Sequence, residues 1–297
     1  MLTELITFNL IGAIPFPDWI SPDAIRIGNF SIKWYGLGYI VGVFLAYVWA
    51  HRLVKNKDIW IPTDVTRGNA LIPDKQMLED FMFFALLGII IGGRLGSVLL
   101  YNPEQYIADP LKVLRVWEGG MAFHGGFAGV CVAVIYMART RGLELWRMAD
   151  VIAPGAAIGI GLVRLANFAN QELYGRITDV SWAFIFATDP GSYPRHPSQL
   201  YEAALEGLAI FVILNLLIYR FKILTRPGIC AGAFMALYGV FRMFVENFRE
   251  PDASLFGPLT RGMAYSLPML LIGLAVLIWA LRRPAVAPKR AADPASK

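Results

Sequence analysis

Apolar runs recur along this chain, separated by short polar connections. Seven stand out, at about residues 33–52, 77–100, 119–138, 148–168, 198–219, 228–248 and 263–281. Each approaches the roughly 20 apolar residues that a helix needs to cross the hydrocarbon core of a bilayer. The pattern predicts an all-α integral membrane protein with about seven transmembrane helices, forming one domain over residues 1–283. Residues 1–32 read as an amphipathic arm at the membrane interface, with Trp19 and the prolines near the headgroups. This arm has neither the basic start nor the cleavage site of a removable signal. Two connections, 101–118 and 169–197, are long enough for local structure. Residues 53–76 read as a loop-like insert, and the polar stretch 284–297, rich in Pro and Ala, as a disordered tail. No internal repeat is visible.

Composition agrees with this reading. The 297 residues are 57% hydrophobic and only 16% charged, against about 25% charged in soluble domains. Cys131 and Cys230 fall inside apolar runs at no metal or redox spacing, and read as small buried filler. Charge then orients the chain. The connections 51–75, 139–147 and 220–226 and the tail from 282 carry sixteen of the 27 Lys and Arg residues, and the opposite set carries eight. The richer set belongs in the cytoplasm, which puts the N-terminus outside and the C-terminus inside. The net charge of +5 is then a topology signal and an attraction to lipid, with no nucleic-acid meaning.

Ionisable side chains inside the runs change the picture from scaffold to machine. Each costs about 2.5–3.5 kcal/mol at the centre of a span. Arg94 lies among glycines in the second run. Arg164, Asn167 and Gln171 fall at i, i+3 and i+7 around the end of the fourth, sharing one face if the helix continues. Glu202 and Glu206 are four apart in the fifth run. Arg242, Glu246 and Arg249 again share one face in the sixth. One reading is a set of internal ion pairs, Arg242 with Glu246 and Arg164 with a Glu of the fifth run. The other counts Arg94, Arg164, Arg242 and His124 as a cationic excess at one depth, calling for an anion. The phosphodiester of a phospholipid suits it, because the guanidinium fork matches two phosphate oxygens. His124 sits between Gly119, Gly120, Gly125, Gly126 and Gly129. Those glycines mean either tight helix packing or a backbone kept open beside a proton acceptor. His196, just before Pro197, reads as a residue at a helix entry. No metal motif and no serine-nucleophile elbow appears. The residues alone point to a membrane enzyme or transporter acting on an anionic lipid.

Six blocks occur in order: KWYGLGY, GGRLGSVLLYNP, VWEGGMAFHGGFAG, GLVRLANFANQELYG, RHPSQLYE and YGVFRMFVENFREPD. With them the chain resembles the bacterial phosphatidylglycerol–prolipoprotein diacylglyceryl transferase family over about residues 25–283. The resemblance implies a seven-span inner-membrane enzyme whose site faces the extracytoplasmic side. Its reaction moves the diacylglyceryl group of phosphatidylglycerol to the lipobox cysteine thiol of a prolipoprotein. A thioether forms and glycerol 1-phosphate leaves, in the first step of bacterial lipoprotein maturation. The partners implied are phosphatidylglycerol, the lipobox segment and membrane lipids, with no metal, cofactor or nucleic acid; a monomer is expected. The family's essential positions fall on Tyr35, His124, Arg164, Asn167, Glu172, Gly175, Arg242 and Glu246. Arg94, Tyr238 and Arg249 are further polar positions in matching blocks. The chain departs from the family's usual pattern at Lys33, where His is common, and at Ala166, where Gly is usual. The 53–76 insert is longer than usual.

The implied reaction sets the roles expected. Phosphate leaves with growing charge, so Arg164 and Arg242 are expected to stabilise it, with Arg94 in support. His124 is the candidate proton acceptor for a thiol of ordinary pKa near 8.5. Glu246 orients Arg242. Asn167 and Tyr35 bond the headgroup, Tyr238 lines the lipid site, and Glu172 and Gly175 shape the outer loop. A competing mechanism has no protein base. The alternative function is a transporter or flippase for an anionic lipid, which would favour repeated halves.

Overall fold

The computed structural model of the chain describes residues 12–21, 23–28, 30–62, 70–101, 103–250, 254–256 and 259–286. The first eleven residues of the expected arm, the middle of the insert and the tail from residue 287 lie outside them.

The described part of the arm carries strands. β1 is Ile14–Pro15, and β2 (Asp23–Ile27) pairs antiparallel with β3 (Phe30–Lys33). Trp19 is 84% exposed. Helix α1 (Trp34–Lys55) follows β3 and ends on Arg52 and Lys55, where cations suit the negative end of the helix dipole. Helix α2 (Lys75–Gly96) starts at an Asp74 cap that accepts from the Met77 amide at 2.8 Å. It runs on as a π-helical turn, Ser97–Tyr101. A short α3 (Pro103–Ala108) and two 3₁₀ turns lead to α4 (Phe123–Arg141), and α5 (Leu145–Ala169) comes next. Strands β4 (Phe184–Ile185) and β5 (Pro194–Arg195) pair antiparallel, and β1 joins β4 in parallel. The fifth run is α6 (Ser198–Glu202), a π-helical stretch Ala203–Ala209, and α7 (Ile210–Phe221). Helix α8 is Ile229–Val245. Strands β6 (Ser254–Phe256) and β7 (Leu259–Thr260) precede α9 (Arg261–Leu281), capped by Thr260 on the Met263 amide.

Six helical segments are long and apolar enough to cross a membrane, and α8, at 17 residues, is a shorter apolar helix. The sixth run therefore stops three residues earlier than its apolar pattern suggests, because Glu246, Asn247 and Phe248 turn out of the helix. The third run starts at Phe123. Gly119 and Gly120 lie ahead of it at φ 84° and 74°, a left-handed pair open to glycine. Cys131 is exposed on the outward face of α4 and only Cys230 is buried. A thiol packs as a small hydrophobe, so an outward face of a spanning helix suits it as well as a core does.

The described residues fall into two compact units, with the boundaries inside α1 and α5. The first comprises residues up to Trp49, Ile152–Ile223 and Ile229–Arg283; the second comprises Ala50–Val151, Leu224–Gly228 and the stretch from Pro284. In the second unit α2 and α4 meet backbone to backbone. A Cβ on Gly88 would collide with Gly129, and one on Gly92 or Gly125 would collide with the other residue. Lipid tails are as apolar as side chains, so helices in a membrane are held by such close small-residue contacts. In the first unit α8 and α9 do the same through Gly232, Gly239 and Gly273, while Gly161 of α5 packs on Gly207.

Candidate functional site

The first unit gathers the charged residues of three helices into one cluster. The π-helical stretch after α6 carries Glu206, one turn beyond Glu202, and both are fully buried. Arg164, near the end of α5, places Nε 3.2 Å from Glu202 Oε2 and Nη2 3.6 Å from Glu206 Oε2. Arg242, in the last turn of α8, donates to Glu202 Oε1 at 3.0 Å and pairs with Glu246 Oε2 at 2.8 Å. Arg249 donates to the same Glu202 oxygen at 3.0 Å. Glu202 thus pairs with three guanidinium groups. Glu246 is fixed in turn by the Thr260 hydroxyl at 2.6 Å, beside a Gly262 that leaves room for its carboxylate. Tyr238, one turn before Arg242, meets Arg164.

This geometry revises the charge count made from sequence. In the cluster three arginines meet three carboxylates, Glu202, Glu206 and Glu246. The ion-pair reading of Arg164 and Arg242 is the one observed, and the expected cationic excess is absent among these six groups. Arg164 meets Glu202 of the fifth run and Arg242 meets Glu246, as the ion-pair reading expects; the pairs of Glu202 with Arg242 and Arg249 join separate helices, where spacing along one run shows nothing.

A second constellation lies in the same unit. The Tyr35 hydroxyl, at the start of α1, donates to Glu172 Oε1 and accepts from Asn167 Nδ2. Asn170 also donates to Glu172 Oε1, at 3.1 Å. Asn167 Oδ1 is buried with no hydrogen-bond donor among the described residues, an acceptor suited to a hydroxyl. Gln171 leaves the face it was expected to share with Arg164 and Asn167, because α5 ends at Ala169 and Gln171 turns to φ 54°. Its side chain accepts from the Ala187 amide at 2.7 Å instead. Leu173 also has positive φ, 55°, a strained setting for a bulky residue and one that gathers at functional loops.

Gly175 fixes the far side of this loop. Its amide donates to the His196 carbonyl at 2.8 Å, and a Cβ there would strike Phe248 and His196. Arg195 ties the loop to its surroundings through Asp189 at 2.6 Å and Glu250 at 3.0 Å. Burial pushes the Asp189 carboxyl up, but Arg195 and the Gly191 and Tyr193 amides outweigh it and hold the group below the usual carboxylate range. Burial pushes His196 down, against a weaker pull from Asp179. Its ring meets the Tyr201 hydroxyl at 3.1 Å, at the entry to α6.

His124 and Arg94 belong to the second unit. His124 is the second residue of α4 and is exposed, with Nδ1 2.9 Å from the Tyr101 hydroxyl. Tyr101 closes the π-helical turn of α2, a shift that breaks the 3.6-residue period and hides the pairing from sequence. Arg94 is buried. One of its nitrogens, Nη1, donates to the Tyr106 hydroxyl at 2.9 Å and to the carbonyls of Gly119 and Gly120 at 2.8 and 3.1 Å. It thereby holds the left-handed elbow that aims the start of α4. Its Nε and Nη2 are buried without a hydrogen-bond acceptor among the described residues, donors that an anion would satisfy.

A family model described as prolipoprotein diacylglyceryl transferase matches residues 22–279. A relative from Brucella anthropi is 47% identical over 276 residues, which is 92% of this chain and 94% of its own. One from Bartonella bacilliformis is 44% identical over 278 residues, 91% of this chain and 95% of its own. Both carry the name phosphatidylglycerol–prolipoprotein diacylglyceryl transferase.

Proposed function

Because the chain belongs to the prolipoprotein diacylglyceryl transferase family, we propose that it transfers the diacylglyceryl group of phosphatidylglycerol to a lipobox cysteine thiol. The observation that carries this reading is the pair of arginines, Arg164 and Arg242, held on one buried carboxylate within apolar helices. A guanidinium at that depth is costly unless used, and phosphate is the anion a bilayer supplies.

In this reading sulfur attacks the glyceryl carbon, the carbon–oxygen bond breaks, and the phosphate gains a second negative charge. Arg164 and Arg242 stabilise that charge, each donor contributing on the order of 3 kcal/mol in a water-poor site. Arg94 offers its two unsatisfied donors to the same class of ligand. His124 takes the thiol proton on Nε2, the ring nitrogen opposite the one at Tyr101. Glu246 orients Arg242. Asn167 and Tyr35 bind the glycerol headgroup, Tyr238 lines the site, and Glu172 and Gly175 hold the loop. The enzyme needs no metal or cofactor and works as a monomer, its one catalytic domain spanning residues 1–283. It is a multi-pass protein of the bacterial inner membrane, with the N-terminus and the site on the extracytoplasmic side.

The test is purified protein with phosphatidylglycerol and a lipobox peptide carrying Cys or Ser. Mass spectrometry should find the diacylglyceryl increment on the Cys peptide alone. An unmodified Cys peptide would refute the assignment.

A further inference from the structure

We propose that Glu206 is a proton-accepting counter-ion, and that an anionic phospholipid binds at the arginine cluster together with one proton taken up by this carboxylate. The inference rests on the reading of Arg164 and Arg242 as the phosphate-binding pair, and it adds a step to that reading.

The carboxylates of the cluster are not alike. Glu202 accepts charge-assisted bonds from Arg242 and Arg249 and also pairs with Arg164. Glu246 is held by Arg242 and the Thr260 hydroxyl. Glu206 is fully buried, and neither of its oxygens accepts a hydrogen bond among the described residues. Its cation, Arg164 Nη2, stands 3.6 Å away. The other charged or titratable groups that face it are Glu202 on α6, Tyr238 and Arg242 on α8, and Arg249 beyond α8. Besides Arg164, α5 packs the Gly161 backbone and the Ala157 carbonyl against Gly207.

With all six groups ionised the cluster is neutral. A phosphodiester entering it brings one negative charge into a region where unpaired charge is expensive. Moving a carboxylate away has no route, since all three acids lie on packed helices or their ends. Uptake of a proton from solvent restores neutrality with no backbone movement. Glu206 is the acid least stabilised as an anion by hydrogen bonding, and so the first to take the proton. Protonation also releases Arg164 Nη2 from its carboxylate and turns that donor toward the phosphate. Since the phosphodiester has no titrating group near neutrality, the proton belongs to the protein.

The experiment follows KM for phosphatidylglycerol against pH with the full-length protein and a lipobox peptide. In the native protein the apparent affinity should fall about tenfold per pH unit on the alkaline side, as uptake of one proton requires. In Glu206→Gln it should be flat with pH and match the native protein at its acid end. A native profile without slope, or a slope that survives in Glu206→Gln, overturns the proposal. A second measurement needs no variant: native protein in weak buffer should withdraw about one proton per lipid bound, and no withdrawal also overturns it. If the native protein leaves the Cys peptide unmodified, the transferase reading itself falls. Transfer without proton uptake removes only the role of Glu206.

Discussion

At the scale of single residues, two side chains carry the proposed chemistry, His124 and Arg242. Removing the proposed proton acceptor in His124→Gln should lower turnover of a lipobox peptide about 10²–10⁴-fold. Turnover within a few-fold of the native value would transfer the proton to water or lipid phosphate. Tyr101→Phe removes the hydroxyl at Nδ1 and should lower turnover by less than His124→Gln does. Arg242 meets Glu202 and Glu246 through two nitrogens at once, a bidentate arrangement that lysine cannot copy. Arg242→Lys should therefore cost about 10²-fold in kcat, and near-native kcat would mean that a point charge suffices. The sequence carried His124 and both arginines. It also offered Glu246 for Arg242 and a fifth-run Glu for Arg164, but it hid Tyr101, which closes a π-helical turn, and the sharing of Glu202 among three arginines on different elements.

The contact between α2 and α4 is the feature of individual elements most open to test. Gly125 and Gly126 are neighbours with opposite situations. A Cβ at Gly125 would strike the Gly92 backbone, whereas one at Gly126 meets Ile89 at an ordinary 3.6 Å. Gly125→Ala should lower stability by about 1–3 kcal/mol, seen as a lower unfolding midpoint in detergent. Gly126→Ala should leave that midpoint unchanged, and equal effects would refute the packing account. Apolar run length revealed seven helices, because span length is fixed by the solvent rather than by tertiary detail. It could not reveal the short strands of the arm and of the 169–197 loop, which are two to five residues long and too brief for any period to register.

For the molecule as a whole, acid sensitivity and bilayer fit are the properties that follow. Asp189 has a lowered pKa in the fold, so the stability it adds is complete above its ordinary value near 3.8 and is lost as pH falls through the lowered value. Hydrogen exchange of the loop around β4 and β5 should be equal in the native protein and Asp189→Asn at the most acidic pH. The variant should exchange faster above about pH 5. Equal exchange at every pH would remove the Arg195–Asp189 pair from the account. Overall hydropathy made the membrane class legible from composition alone, while the pairing of charges inside it required three-dimensional placement.

Helix α8 has 17 residues, about 26 Å of rise, against roughly 30 Å of hydrocarbon. Arg242 sits in its last turn. Such a helix draws the leaflets inward, thinning the bilayer around itself. Headgroups of nearby lipids then descend toward the guanidinium groups, and less of each lipid has to leave its own layer before it reacts. Hydrophobic mismatch would thus do part of the work of substrate delivery.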